Sequence, residues 1–333
     1  MHEPTRGGVM DLADVFSLYK DEMSRVETHL DRYITSDVRL IPEVAHHLID
    51  SGGKRFRPLL HLICARLTGY DGPHRFPLAA SIEFIHTASL LHDDVIDEAL
   101  LRRGKTSANR VWGNAASVLV GDFLYSKAFS LLADIGDIRV VRLMSKMTNV
   151  MSEGEVFQLM KCGDTNLTEE EYLSIVEKKT AVLISAACES GAVLAQAPEG
   201  QAGALGQYGY NVGMAFQITD DTLDYMAREE DFGKSIGKDL EEGKMTLPLI
   251  YTLAHCPPQR REGIKTAVEK KELDPEVLRS IFEEIRQAGG IDYSLSRAEQ
   301  FITQARNCLD VFPASTEKDH LTAVAAFILS RKT

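Results

Sequence analysis

The spacing of apolar residues is the feature that most restricts the fold of this chain. Apolar side chains recur mostly three or four positions apart, and sustained alternation of apolar and polar residues is scarce. Glycine and proline are concentrated in a few joints between these segments. The pattern predicts an all-α protein with helices near 10–34, 42–50, 57–69, 76–98, 112–134, 137–161, 168–196, 201–230, 244–255, 259–271, 275–288, 291–311 and 315–331.

A single large bundle is the simplest way to pack these helices. The chain has 333 residues with 44% hydrophobic content, so it can bury a large core. The sequence contains no repeat at a fixed period, no low-complexity linker and no break in composition. We therefore expect residues 1–333 to form one domain, a helical bundle around a central cavity.

Charge and cysteine content argue against several classes of protein. The formal net charge of -12 disfavours a nucleic-acid surface. The five cysteines are scattered without a CxxC spacing, which indicates neither a disulfide framework nor a zinc site. The N-terminus does not resemble a signal peptide, and the apolar window Ala181–Ala195 is too short and too polar for a transmembrane span. We expect a cytoplasmic, soluble protein whose partners are small molecules or metal ions.

An acidic cluster follows one of the apolar segments. In LLHDDVIDEALLRRGKTSAN (90–109), Asp93, Asp94 and Asp97 come directly after the apolar run 79–91. On a helix the three carboxylates would share one patch, and their repulsion would cost a few tenths of a kcal/mol per pair. A hard divalent cation such as Mg²⁺ would remove that repulsion. Taken alone, the motif is more often an exposed acidic turn than a metal site.

The same spacing occurs a second time, in QITDDTLDY. Asp220, Asp221 and Asp224 again end an apolar segment. Several helices separate the two copies, so the acidic ends could meet across a cavity and hold metal ions between them. The repetition makes two chance occurrences improbable and favours a metal site.

Basic residues accompany both acidic clusters. The stretch SGGKRFRP (51–58) carries Lys54, Arg55 and Arg57 on a glycine-containing joint that leads into a helix, a place that favours an anion. Carboxylates repel phosphate, so a diphosphate near these clusters must be bridged by metal ions and held by cations. Each cation alone could be a solvated surface residue, and Lys238 is left unassigned for that reason. The others near the acidic clusters are Arg102, Arg103, Lys179, Lys234 and Lys244.

These motifs together resemble those of the trans-isoprenyl (polyprenyl) diphosphate synthases, most closely the long-chain octaprenyl type. The resemblance covers nearly the whole chain, from GGKRFRP through LVGDFLYSKAF, GEVFQL and EKKTAVL to GKSIGKDLEEGKMTLPLI and the C-terminal FILSRKT. It implies the type I isoprenoid synthase fold, with both aspartate motifs facing a central cavity. It also implies a prenyltransferase that condenses isopentenyl diphosphate with an allylic diphosphate, usually as a homodimer.

The resemblance also implies a role for individual residues. About three Mg²⁺ ions would be held by Asp93, Asp94, Asp97, Asp220 and Asp224, with Asp221 in the same catalytic group. The allylic diphosphate would contact Arg102, Lys179, Lys234 and Lys244. Isopentenyl diphosphate would be held by Lys54, Arg57, His86 and Arg103. Thr180 and Gln217 would lie beside the reacting carbons.

Product length is predicted from the residues that precede the first aspartates. In the family, large aromatic side chains at the fourth and fifth positions before the motif stop growth early, and here those positions are the small Ser89 and Ala88. A helix of about 22 residues gives ~33 Å of channel wall, which suits roughly C35 to C45, with C40 the best single value. Three methionines on another helix are either core residues or the channel floor, namely Met144, Met147 and Met151.

Other functions remain as alternatives at this point. A short-chain farnesyl or geranylgeranyl synthase would share every motif except the small residues before the aspartates. A terpene cyclase or a head-to-head condensing enzyme would not need the second basic cluster. A non-catalytic subunit of a heteromeric synthase would be expected to have lost aspartates, and an acidic metal-buffering protein would not need the cations.

Overall fold

The computed structural model describes residues 10–226, 237–270 and 272–330, and the prediction of an all-α protein is confirmed for them. Lys234, a predicted diphosphate contact, lies outside the described residues. Up to residue 226 the helices are α1 (Leu12–Leu18), α2 (Lys20–Ile34), α3 (Leu40–Ile49), α4 (Phe56–Leu67), α5 (Arg75–Ile96), α6 (Ala108–Trp112), α7 (Asn114–Ile135), α8 (Ile138–Lys161), α9 (Glu169–Val176), α10 (Val182–Leu194) and α11 (Glu199–Leu223). The rest are α12 (Lys238–Glu241), α13 (Leu247–His255), α14 (Pro258–Glu269), α15 (Pro275–Ala288), α16 (Gly290–Cys308) and α17 (Thr316–Ser330).

The chain divides into two compact units. Among the described residues, the first comprises 10–146, 186–206 and 311–324. Helix α5 is central to it and packs against α2, α4 and α7. Because α5 meets neighbours on several sides, it is apolar around most of its circumference, with Phe84, Ile85 and Leu91 fully buried.

The described part of the second unit comprises residues 147–185, 207–226, 237–270, 272–310 and 325–330. Helix α13 packs against α9, α15 and α16 in this unit. Gly290, at the start of α16, allows a close approach to α13. A Cβ atom on Gly290 would lie 2.4 Å from the carbonyl oxygen of Pro248 in α13, so a larger residue would force the two helices apart.

Several element boundaries differ from the sequence prediction. The segment 10–34 forms two helices because Tyr19 leaves helical geometry and buries its ring against His320. The predicted helix 168–196 contains a π turn at Glu177–Ala181 between α9 and α10. The prediction also missed α6 and a hairpin of two-residue strands, β1 (Leu101–Arg102) and β2 (Lys105–Thr106).

Helix α7 is long and apolar enough to cross a membrane by length and composition, and it is the one such helix among the described residues. Its most apolar window has a mean hydropathy of 1.3 and is 39% buried. The sequence analysis had named only the window Ala181–Ala195. Since α7 packs along α5 and also contacts α3 and α6, it is an integral part of the first unit.

Candidate active site

The first acidic cluster lies at the C-terminal end of α5. Asp93 and Asp94 are buried in its last turn, and Asp97 is the C-cap residue with φ -80° and ψ 1°. The Asp94 carboxylate accepts two hydrogen bonds from Arg102, one of them from Nε at 2.8 Å. Asn109 donates to the Asp94 carbonyl oxygen at 2.9 Å. Asp94 is therefore held in place from two sides, while its Oδ2 atom is buried without a hydrogen-bond partner in the described part of the chain.

The hairpin that follows α5 carries the predicted arginine pair. Leu101 pairs with Thr106, and Arg102 pairs with Lys105. The two residues between them, Arg103 and Gly104, have positive φ values of 51° and 77°. Positive φ at both central positions defines a type I′ turn, the form that matches the twist of a two-residue hairpin. The turn sends Arg102 back to Asp94 and leaves Arg103 at the tip.

Arg103 lies against the loop before α4. A Cβ atom on Gly53 would be 2.7 Å from Arg103 Nη1, so the guanidinium occupies the space that any other residue at Gly53 would fill. The structure thus brings the GGKRFRP stretch and the RRG turn together, as the sequence analysis assigned. Exposed Lys54 follows Gly53 directly.

Arg57 and His86 belong to the same basic cluster. Burial lowers the pKa of Arg57 to about 10; Glu83 opposes this shift and Arg103 contributes to it. Burial together with the positive charge of Arg57 and Arg103 lowers the pKa of His86 well below its ordinary value. The Arg57 Nε atom is buried without a hydrogen-bond partner among the described residues. A buried, partly unsatisfied guanidinium beside a neutral imidazole is suited to an incoming anion.

Arg55 has a different position from its neighbours. Its Nε donates to Glu27 at 2.8 Å, and its guanidinium also binds Glu83 at 3.3 Å and the Ile49 carbonyl at 2.9 Å. Its left-handed backbone, with φ 46°, directs the side chain inward before α4 begins. Arg55 is therefore occupied by internal contacts, in contrast to Arg57.

The sequence analysis did not identify Glu83, which organises this cluster. Burial raises the pKa of Glu83, while Arg55, Arg57 and Arg103 oppose that shift. The Glu83 carboxylate therefore offsets part of the mutual repulsion among the three arginines. Glu83 lies three residues before His86 and therefore on the same face of the helix. That spacing is the sequence signal that could have placed Glu83 in the basic cluster.

The second acidic cluster lies at the end of α11 and is part of a hydrogen-bond chain. The Thr180 hydroxyl donates to Gln217 Oε1 at 2.9 Å, and Gln217 Nε2 donates to Asp221 at 2.7 Å. The Tyr172 hydroxyl donates to the other oxygen of Asp221 at 2.6 Å. Burial raises the pKa of Asp221 to about 6 despite these bonds. The structure thus brings together Thr180, Gln217 and Asp221, and it adds Tyr172, which the sequence analysis missed.

Asp220 and Asp224 flank this chain of hydrogen bonds. Asp220 is exposed, whereas burial raises the pKa of Asp224. A further acid that the sequence analysis missed, Asp239, has its pKa raised to about 8 by burial and by the nearby charges of Asp221 and Asp224. The Asp224 Oδ2 atom is buried and lacks a hydrogen-bond partner in the part of the molecule described. Cations brought to this cluster would relieve the repulsion among its carboxylates.

Two of the predicted lysines, Lys179 and Lys244, form ion pairs in the second unit. Lys179 Nζ lies 2.9 Å from Glu155, and Lys244 Nζ lies 2.6 Å from Glu242. The π turn allows Lys179 and Thr180, adjacent in sequence, to reach Glu155 on α8 and Gln217 on α11 respectively. Gly213 on α11 fits against this turn, since a Cβ there would be 2.5 Å from the α-carbon of Ala181.

The residues predicted to control product length are buried or half-buried. Ala88 is fully buried on α5, and the Ser89 hydroxyl donates to the His86 carbonyl at 2.8 Å. Met144, Met147 and Met151 are all buried on α8. Burial of this kind is compatible with both core packing and a channel lining, so the two interpretations of the methionines stay open.

The carboxylates suit a hard divalent cation that binds together with a phosphate-bearing ligand. Among the residues described, no three His, Cys, Asp or Glu side chains are grouped closely enough to hold a metal ion by themselves. Mg²⁺ typically takes one or two carboxylates and completes its coordination with substrate phosphates and water. The unpartnered oxygens of Asp94 and Asp224 are donors of the required type.

Comparison with known proteins agrees with this assembly of residues. The polyprenyl synthetase family model matches residues 38–285. Octaprenyl diphosphate synthase from Escherichia coli (strain K12) is 40% identical over 322 residues, covering 97% of this chain and 99% of that protein. All-trans-nonaprenyl-diphosphate synthase (geranyl-diphosphate specific) from Rhodobacter capsulatus is 36% identical over 319 residues, covering 96% and 97%.

A solved structure gives the same result for the fold. Polyprenyl synthase from Caulobacter crescentus CB15, crystallised with calcium and isoprenyl diphosphate, superposes with a TM-score of 0.92 at 41% identity, covering 98% of this chain and 100% of that one. The all-α isoprenoid synthase fold expected from the sequence is therefore confirmed. The chain belongs to the polyprenyl synthetase family of prenyltransferases.

Proposed function

We propose that this protein is a long-chain trans-polyprenyl diphosphate synthase. It adds isopentenyl diphosphate head-to-tail to an allylic diphosphate and repeats the step to roughly C35–C45, with octaprenyl diphosphate (C40) as the principal product. The observation that carries the proposal is the basic cluster of the first unit, where the buried Arg57 Nε has no hydrogen-bond partner among the described residues and lies beside His86 and Arg103. A second diphosphate substrate requires such a cluster.

The basic cluster is proposed to hold isopentenyl diphosphate. Lys54, Arg57 and Arg103 provide the positive charge, and the neutral His86 ring provides a hydrogen-bond donor. Binding the anion here satisfies the Arg57 guanidinium and offsets the repulsion among the arginines. The double bond of isopentenyl diphosphate is thereby oriented for attack on the allylic carbon.

The aspartates and the remaining cations are proposed to hold the allylic diphosphate. In this proposal, about three Mg²⁺ ions would be held by Asp93, Asp94, Asp97, Asp220 and Asp224. They would supply positive charge where negative charge develops on the leaving diphosphate. Arg102, Lys179, Lys234 and Lys244 are proposed to contact the same leaving group. To do so, Lys179 and Lys244 exchange Glu155 and Glu242 for phosphate oxygens.

Thr180 and Gln217 are proposed to act beside the reacting carbons. Their hydrogen bonds fix the direction of the Gln217 amide, whose Oε1 and Nε2 face Thr180 and Asp221. Such fixed dipoles stabilise positive charge developing on the substrate without reorganising during the reaction. The released diphosphate is then the base that removes the proton and leaves a longer allylic diphosphate.

The runner-up functions are separated by specific residues. A short-chain synthase is disfavoured by the small Ala88 and Ser89. A non-catalytic subunit is disfavoured because both aspartate motifs are intact. We further propose that the chain acts as one polyprenyl synthetase domain over residues 1–333 and functions as a soluble, cytoplasmic homodimer.

Incubation of the purified protein with labelled isopentenyl diphosphate, farnesyl diphosphate and Mg²⁺ tests the proposal. The dephosphorylated products should migrate as prenols of about C35–C45. Products confined to C15 or C20 would identify a short-chain synthase, and cyclic hydrocarbons would identify a cyclase. Absence of product in the presence of both substrates would identify a partner subunit.

A further inference from the structure

The hairpin that carries Arg102 and Arg103 is too small to hold its own position. Each strand has two residues, and Leu101, Lys105 and Thr106 are exposed. Isolated two-stranded hairpins are marginally stable at best in water. The position of both arginines therefore depends on what anchors the hairpin to the helices.

One anchor comes from α3. His47 Nε2 lies 2.7 Å from the carbonyl oxygen of Thr106 in β2. Since a carbonyl oxygen can only accept, Nε2 carries the proton and donates it. The same imidazole ring lies edge-on to Trp112 at the end of α6, with ring centroids 5.0 Å apart and an angle of 81°. His47 thus joins three segments that are distant in sequence.

A second contact links the same two parts of the chain. His47 is in the last turn of α3, and Gly53 follows in the loop after that helix. On the hairpin, Thr106 faces His47, while Arg103 lies against Gly53. Two contacts between the segments 47–53 and 103–106 fix both their separation and their register. The segment 47–53 leads directly into Lys54 and Arg57, so His47 sets the spacing between the two basic segments.

We propose that His47 is a positioning residue for diphosphate binding. It holds β2 against α3 through the Thr106 carbonyl, so that Arg103 remains beside Lys54 and Arg57 and Arg102 remains on Asp94. This inference rests on the proposed function for its kinetic consequence. The structural part, that the His47 hydrogen bond restrains the hairpin, stands without it.

Two substitutions separate the two contacts of the ring. His47→Gln keeps an N–H donor near Thr106 but removes the aromatic contact. His47→Phe keeps a ring against Trp112 but cannot donate. We expect His47→Phe to raise the KM for isopentenyl diphosphate by about 5- to 15-fold with a smaller change in kcat, the loss typical of one hydrogen bond. His47→Gln should remain within about 3-fold of the wild type, again on the scale of a largely preserved hydrogen bond.

The matched control is the neighbouring residue. His46 is on the same turn of α3 and lies 3.7 Å from Asp50 rather than near the hairpin. His46→Gln should leave the KM unchanged, and thermal unfolding of all variants identifies any that fail to fold. Equal impairment in His47→Gln and His47→Phe, or a wild-type KM in His47→Phe, would overturn the proposal.

Two readouts do not depend on prenyl transfer. Trp112 is the single tryptophan of the chain, so its emission reports directly on the ring contact. The emission should change in His47→Gln and be largely kept in His47→Phe.

Amide hydrogen exchange in the segment 100–107 should accelerate in His47→Phe but not in His47→Gln. If the wild type made no prenyl product, the proposed function would be wrong. The hydrogen-exchange comparison would still decide whether His47 restrains the hairpin. An unchanged hydrogen-exchange rate in His47→Phe would refute the proposal that the His47 hydrogen bond restrains the hairpin.

Discussion

The guanidinium group of Arg103 occupies the space beside the Gly53 α-carbon, where a methyl group would approach its Nη1 atom to 2.7 Å. Gly53 also has φ 147°, a conformation that side-chain-bearing residues rarely adopt. The glycine is therefore required twice, by the backbone and by the neighbouring arginine. This contact is the direct link between the two basic motifs that the sequence places 50 positions apart.

Substitution of Gly53 by alanine should displace Arg103 rather than unfold the protein. The clashing atoms are the far end of a flexible side chain, so Arg103 can move away, at the expense of its position in the cluster. We expect the KM for isopentenyl diphosphate to rise about 10-fold, which corresponds to ~1.4 kcal/mol of binding. Gly52→Ala is the matched control, since Gly52 has φ 91° and nothing within 4 Å of its added Cβ. Equal KM values for the two variants would show that backbone strain alone is responsible.

Arg55 and Arg57 should respond differently to replacement by alanine. Arg55→Ala removes the partner of Glu27, Glu83 and the Ile49 carbonyl, so it should lower stability by about 2–4 kcal/mol and reduce the midpoint of thermal unfolding. Arg57→Ala should leave that midpoint nearly unchanged and raise the KM for isopentenyl diphosphate more than that for the allylic substrate. Identical effects of the two variants on both measurements would contradict the division between them.

Loss of a metal-binding carboxylate should abolish turnover without loss of the fold. Asp93→Asn and Asp220→Asn each remove one negative charge from a crowded cluster, so the free protein should be no less stable. The rate should nevertheless fall by orders of magnitude because a cation ligand is missing. EDTA should likewise stop the reaction and Mg²⁺ should restore it. The exposed Asp134 on α7 provides a control, and near-normal turnover in both cluster variants would refute the metal assignment.

Product length should respond to bulk at Ala88. A phenylalanine cannot enter this fully buried position without taking space from whatever lies beside it. If α5 forms a wall of the prenyl channel, Ala88→Phe should shorten the product sharply, as chromatography of the dephosphorylated prenols would reveal. Ala133→Phe, at an exposed position of α7, is the control for a non-specific effect of the added ring. Unchanged product length in Ala88→Phe would remove this wall from the proposed channel.

Stability should fall on acidification because of His61. This fully buried side chain places Nδ1 at 2.8 Å from the Ser190 hydroxyl, and burial lowers its pKa to about 4. The unfolded chain, with an ordinary histidine pKa near 6.5, binds a proton that the folded state does not accept between these two values. The stabilising contribution of neutral His61 is therefore fully present above pH 6.5 and is lost as the pH falls towards 4. At pH 5 the loss in the free energy of unfolding amounts to about 2 kcal/mol.

Thermal unfolding at pH 7 and pH 5 measures this effect. A His61→Gln variant should show a smaller difference between the two midpoints than the wild type, whereas replacement of the exposed His74 by glutamine should not change that difference. A His61→Gln variant with the wild-type pH dependence would assign the acid sensitivity to other groups.

The parts of the molecule predicted from sequence are those determined by local periodicity. Helix α5 and its terminal aspartates follow from an apolar run that ends in charge, and the structure places them as expected. The hairpin after α5 was missed because two-residue strands are too short to produce an alternating pattern. The π turn was missed because it preserves the helical spacing on both sides.

Roles that depend on contacts between residues distant in sequence were harder to predict from the sequence. Local patterning alone does not separate Arg55 from Arg57, which only the family resemblance assigned to a substrate, and the contacts of Arg55 with Glu27 and Glu83 show the difference. Tyr172 lies 49 positions from Asp221, so its hydrogen bond to the second acidic cluster has no local signature. The residues assigned to the two acidic motifs were instead identifiable because each motif is contiguous.

Four described residues other than glycine have a positive φ, and two of them, Arg55 and Arg103, belong to the basic cluster. Glycine or asparagine would adopt these conformations with less strain. The cluster therefore retains its charge at positions where conformational preference opposes it. At Arg103, a substitution that relaxes the backbone would also remove a charge from the proposed isopentenyl diphosphate site, whereas at Arg55 it would break the internal contacts with Glu27 and Glu83. Under the proposed function, the strained backbone at Arg103 is retained because it keeps a cation beside the diphosphate of the substrate.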